Sequence, residues 1–181
     1  MEIIFFIYGL AFFILGVLVL FVRPKESDLF FAKKIWLLGV FAISHAFVEW
    51  LEMYKIVHPS ENIFLIQFEI ALLLLSYLAL FEFSRFILRK SFENPYLRLH
   101  FIYHLYAGPV VYIISIAALL FLILTNPGLN EALVAIRYTY GFWGSLFLGI
   151  GLYYYADEIK TEHKDKLQSY FKLGGIAFIC Y

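Results

Sequence analysis

The stretch Val22-Arg23-Pro24-Lys25-Glu26-Ser27-Asp28-Leu29-Phe30-Phe31-Ala32-Lys33-Lys34 separates two long apolar runs, about 3–22 and 32–54. A bilayer core about 30 Å thick takes roughly 20 apolar helical residues, and the short loops kept on the cytoplasmic side carry an excess of Lys and Arg. The same alternation recurs along the chain. Arg85, Arg89, Lys90 and Arg98 form a second basic cluster, and Lys160, Lys164, Lys166 and Lys172 a third. These clusters hold all of the 14 Lys and Arg residues except Lys55 and Arg137. The opposite connections are nearly free of cations: Lys55 in one, none between Asn126 and Glu131. Sorting by side predicts an all-α, polytopic transmembrane helix bundle with its N-terminus outside.

Composition agrees. The chain is 63% hydrophobic, 21% aromatic and only 15% charged, with a mean hydropathy of +0.82, whereas soluble domains carry about 25% charge. The lipid bilayer is thus the first partner. Nucleic-acid binding has no support, because positive-inside sorting accounts for the basic clusters. One cysteine, Cys180, permits neither an intrachain disulfide nor a cysteine-based metal site. Glu2 occupies the place of a positive n-region and no small-residue cleavage site comes after it, so the first run is expected to stay as a helix rather than be removed as a signal peptide.

Five complete spans fit the pattern: 3–22, 32–54, 63–84, 101–124 and 132–156. Breakers separate them at Arg23-Pro24, His58-Pro59-Ser60, Asn94-Pro95 and Asn126-Pro127-Gly128. Pro109 should kink the fourth span by removing one helical hydrogen bond. A sixth span opens near Ser169 and stops at Tyr181, too short to cross. The expectation is a single, C-terminally incomplete transmembrane domain over 1–181, seven helices in full, with an output domain beyond. Trp36 and Tyr153-Tyr154-Tyr155 fall at inner ends and Trp50 and Tyr54 at an outer end, as interfacial aromatic belts do. Gly141, Ser145 and Gly149 form a small-residue stripe that invites close helix approach, within the bundle or between copies.

Charges inside spans cost roughly 2.5–3.5 kcal/mol each on insertion scales, so each needs a reason. His45, Glu49 and Glu52 are spaced i, i+4, i+7 on one face of the second span. Counting from the ends places all three in the outer half of the bilayer and brings His45, Glu49, Glu69 of the third span and Arg137 of the fifth to similar depth, where Arg137 would offset a carboxylate if the helices face one another. This allows two readings: an outward-opening polar pocket that senses or binds a cation, a proton or a polar ligand, or an interhelical salt bridge that fixes the bundle. Glu82 and Arg85, spaced i, i+3, make a local pair. His100 and His104 have the spacing of a two-histidine metal face but lack the accompanying glutamate and sit near the cytoplasmic interface, so no metal site is expected. A haem between His45 and His104 would have to bridge a depth mismatch of roughly 10–12 Å, at about 1.5 Å per residue. No cofactor is indicated. Gly144-Ser145 lacks a following glycine and a histidine partner, and no phosphate loop is present, so there are no catalytic candidates and no positive case for an enzyme.

The segments Phe6-Ile7-Tyr8-Gly9-Leu10-Ala11-Phe12-Phe13-Ile14-Leu15-Gly16, Ala32-Lys33-Lys34-Ile35-Trp36-Leu37-Leu38, Ser44-His45-Ala46-Phe47-Val48-Glu49-Trp50-Leu51-Glu52-Met53 and Ser76-Tyr77-Leu78-Ala79-Leu80-Phe81-Glu82-Phe83-Ser84-Arg85 resemble the multi-helix membrane sensor module at the N-terminus of prokaryotic sensor histidine kinases and diguanylate cyclases. The resemblance covers roughly the first 90 residues, and the His-x-x-x-Glu-Trp element is its most specific part. It implies a membrane-embedded input domain in a prokaryotic cytoplasmic (inner) membrane, a homodimer, and a PAS, kinase or cyclase output domain in the same chain. None of those output domains lies within these residues. His45 and Glu49 are then the first candidates for sensing, with Glu52, Glu69 and Arg137 as supporting charges. The rival is a small transporter or channel subunit using the buried carboxylates as a cation or proton relay. A lipid- or quinone-directed membrane enzyme and a purely structural subunit are the remaining alternatives.

Overall fold

The computed structural model describes residues 2–21, 30–59, 62–91, 110–125, 128–159 and 165–180. Among them are six helices and no strand: α1 (Glu2–Phe21), α2 (Trp36–Val57), α3 (Ile63–Ser91), α4 (Val110–Thr125), α5 (129–159) and α6 (Asp165–Cys180). A 3-10 turn, Phe30–Lys33, precedes α2. Three of these helices, α1, α2 and α3, are long and apolar enough to cross a membrane. Pro95, His100, His104 and Pro109, with the expected kink and the 101–109 part of the fourth span, lie outside the described residues.

Local chemistry sets the boundaries. Helix α2 runs past the expected limit at Tyr54 to Val57 and stops where His58, the residue before Pro59, is pushed to an extended φ of −124° and ψ of 80°. Three further residues in α2 bring Lys55 into its last turn, so this cation belongs to a helix rather than to a connection. Helix α3 starts behind Asn62, whose Oδ1 accepts the Phe64 N–H at 3.0 Å and so caps the first turn. It continues past Ser84 to Ser91, carrying Glu82, Arg85 and Arg89 on its C-terminal portion.

Packing proceeds in chain order, α1 on α2, α2 on α3, α3 on α5 and α5 on α6, with α4 against α5 and touching α3 through the Tyr112 side chain. The core gathers around α3: Leu73, Leu80, Phe81, Ile87 and Leu88 meet Phe41 and Val48 of α2 and Leu133, Ile136, Leu148 and Leu152 of α5. Two crossings depend on missing side chains. A Cβ on Gly16 would stand 2.5 Å from Ile43 and 3.2 Å from the Gly39 carbonyl oxygen, so α1 lies against the α2 backbone there. On α5, a Cβ on Gly149 would stand 2.5 Å from the Gly175 carbonyl oxygen of α6. The Gly141-Ser145-Gly149 stripe therefore does its packing inside the bundle, although its members face different neighbours. Outside these contacts α1 buries almost nothing. Ile3, Ile4, Ile7, Leu18 and Phe21 are exposed, an apolar surface that hydrocarbon, not water, would cover.

The aromatic belts are only partly surface features. Trp36, Tyr153 and Tyr154 are exposed, but Tyr155 is buried and meets the Phe171 ring edge-on. Trp50 is wedged between α1 and α2: its indole packs over Gly9, and its N–H donates to the Phe6 carbonyl at 3.4 Å.

A candidate ligand cavity beneath an interhelical ion pair

The i, i+4 spacing of His45 and Glu49 delivers what the sequence promised: the imidazole Nε2 lies 3.4 Å from the Glu49 carboxylate. Both residues are buried, at 2% and 8% exposure. The other ring nitrogen, Nδ1, lies 3.3 Å from the Ser76 hydroxyl on α3. Phe41 stacks on the imidazole, Phe12 of α1 meets it edge-on, and Tyr77 of α3 closes the third side. His45 is thus held in one orientation by two polar partners and three rings. A buried ring nitrogen left without a partner is costly, which is the physical reason for so complete a set of neighbours.

One turn further along α2, Glu52 accepts from the Arg137 guanidinium of α5 at 2.5 Å. The offset that the sequence expected Arg137 to provide is real, and Glu52 rather than Glu49 receives it. Glu69 has a different partner again. It is fully buried, and its Oε2 accepts from the Lys55 ammonium of α2 at 2.6 Å. Its Oε1 has no hydrogen-bond partner, and the like charge acting on it is Glu52. The two ion pairs tie α2 to α5 and α2 to α3, and leave Glu69 outside the cavity formed by the other candidates.

That cavity has a volume of about 360 Å³ and opens to the outside of the bundle. Helix α2 contributes His45, Glu49 and Glu52, α3 contributes Tyr77, and α1 contributes Phe5. Arg137, Tyr138, Gly141, Phe142 and Ser145 come from α5. The first four of these lie in a π-helical stretch, Arg137–Phe142, that interrupts α5. Wide i→i+5 turns of this kind favour functional sites because they displace side chains from the regular helical rows. The Thr139 hydroxyl donates to the Ala135 carbonyl at 2.8 Å, and Gly141 leaves room for the Tyr77 ring, which a Cβ would approach to 2.7 Å.

Four of the five sequence candidates, His45, Glu49, Glu52 and Arg137, therefore meet at one cavity, and Glu69 joins Lys55 beside it. Lys55, Ser76, Tyr77, Tyr138 and Phe142 were not singled out. Ser76 and Tyr77 stand seven and eight residues after Glu69, two helical turns along, and this spacing was a usable signal. The π-helix had none. A second polar cluster joins α3 and α4: the Tyr112 hydroxyl donates to Glu82, Arg85 Nε donates to Glu82 at 2.9 Å, and the guanidinium lies over the Tyr112 ring. The expected local pair is real and also serves as a tertiary clamp. Among the described residues no group of three or more His, Cys, Asp or Glu side chains is arranged to hold a metal ion.

No family model, no curated protein and no solved structure matches this chain.

Proposed function

We propose that the chain is the membrane-embedded input domain of a signal-transduction protein. In this proposal five helices cross completely, α6 begins a sixth crossing, the N-terminus is outside, and the membrane is a prokaryotic cytoplasmic one. The basic clusters around Lys33-Lys34, Arg85-Arg89 and Lys160-Lys166 support that orientation, and the resemblance of the first 90 residues to sensor modules supports the role. The homodimer and the cytoplasmic kinase, PAS or cyclase output are proposed on that resemblance alone.

One observation carries the mechanism. The Glu52–Arg137 pair joins α2 to α5 at the rim of a cavity that also contains His45 and Glu49. A ligand or charge arriving there changes the relation of the two helices and so biases a two-state packing, which the later helices pass to the cytoplasmic side. Glu49→Gln should alter the output of the full-length protein, read as autophosphorylation or cyclic-dinucleotide synthesis, while membrane insertion stays unchanged.

Transport is the second reading, favoured by the polar series Lys55–Glu69, Glu52–Arg137 and Glu49–His45–Ser76 that lines up along α2. Proteoliposomes containing the chain separate the two. A sensor should leave an imposed proton or sodium gradient intact, and gradient-driven uptake abolished by Glu49→Gln would overturn the sensor proposal.

A further inference from the structure

We propose that the cavity binds a small organic cation, with its ammonium group held by the Glu49 carboxylate among aromatic faces. This rests on the cavity being a ligand site, as the proposed sensor function requires, and adds the chemical class of the ligand.

Charge points to a cation. The lining carries two carboxylates, Glu49 and Glu52, against one guanidinium and one imidazole, that of His45. Arg137 is matched to Glu52, so the carboxylate left for a newcomer is Glu49, which has the His45 ring on one side. An anion would have to displace Glu52 from Arg137 and sit beside Glu49.

The rest of the lining decides what kind of cation. Phe5, Tyr77, Tyr138 and Phe142 are aromatic, and the negative faces of aromatic rings attract ammonium groups, by about 0.5–1 kcal/mol each at exposed sites and more when dry. A bare metal ion wants several oxygen ligands at about 2.3–2.6 Å, as calcium does, or at shorter distances, and the described residues contain no such cluster. About 360 Å³ is also far more room than an ion needs. It lies at the low end of the roughly 300–1,000 Å³ typical of small-molecule pockets. Tyr138 and Phe142 reach that opening from the π-helical stretch of α5.

The test is calorimetric titration of the chain in phosphatidylglycerol nanodiscs, whose headgroups carry no amine. The probes are choline, phenethylammonium and 3,3-dimethyl-1-butanol, the neutral isostere of choline. At least one ammonium probe should bind saturably and the isostere should not. Glu49→Gln should weaken that binding at least tenfold. Tyr138→Leu, at an exposed position where folding is not in question, should weaken it about two- to fivefold, the equivalent of one exposed cation–π contact. The proposal is overturned if neither ammonium probe binds, if the isostere binds as well as choline, if both variants keep wild-type affinity, or if equimolar sodium displaces the probe. Binding is read here without any signalling output. It can therefore fail while Glu49→Gln still changes signalling, or succeed in a protein that proves to be a transporter.

Discussion

At the scale of single residues, the stability of this bundle depends on how each buried charge is answered. Breaking the Glu52–Arg137 pair from one side leaves a partly buried carboxylate without its partner, so Arg137→Gln should destabilise more than the pair itself is worth. In a double-mutant cycle with Glu52→Gln, thermal unfolding in detergent should give a coupling of about 1–3 kcal/mol. A coupling near zero would mean that the pair contributes nothing to folding. On the other side of the core, Tyr112→Phe removes one hydroxyl from Glu82 and should cost about 1–2 kcal/mol, with faster amide exchange along α4 than along α3. Counting along the helices was enough to group His45, Glu49, Glu52 and Arg137, which line one cavity. It did not show partners, because the facing of one helix toward another depends on packing between distant residues. Arg137 was expected to offset a carboxylate and does, but only the fold selects Glu52 over Glu49, and only the extra turn of α2 brings Lys55 to Glu69.

At the scale of helices, hydropathy and prolines placed α1, α2 and α3 within a turn or two of their ends. Missing side chains then decide how close the helices lie. Gly16→Leu should push α1 off α2, since the new side chain would meet Ile43 and the backbone at Gly39. A cost of about 1–3 kcal/mol is expected from such overpacking, visible as a lower unfolding temperature. Gly174 is the matched control. Nothing lies within 4 Å of a Cβ built there, so Gly174→Ala in α6 should stabilise by about 0.5–1 kcal/mol through helix propensity alone. If both substitutions behaved alike, close approach would not be the reason for Gly16. The Gly141-Ser145-Gly149 spacing was legible as a packing stripe, but the division of labour along it was not. Gly141 lies over a Tyr77 ring and lines the cavity with Ser145, while Gly149 meets α6.

At the scale of the whole molecule, the proposed topology puts Asn62 and Arg89, at opposite ends of α3, on opposite sides of the membrane. In a Cys180→Ser background, Asn62→Cys should react with a membrane-impermeant thiol reagent added outside to intact cells, and Arg89→Cys only after permeabilisation. Equal labelling of both from one side would mean that α3 does not cross. One property of α5 reaches across this scale. In a regular α-helix every added residue turns the remainder of the helix by about 100°. A stretch bonded i→i+5 absorbs an additional residue locally and leaves the helix beyond it facing as before. Residues 143–159 can therefore keep their seats on α3 and α6 while the segment at Arg137–Phe142 bears the misfit. Seen this way the wide turn is a rotational joint between two core-packed halves, and its own residues line the cavity. Shortening it by a single residue is the kind of change that would close the cavity while leaving the register of the rest of the helix untouched.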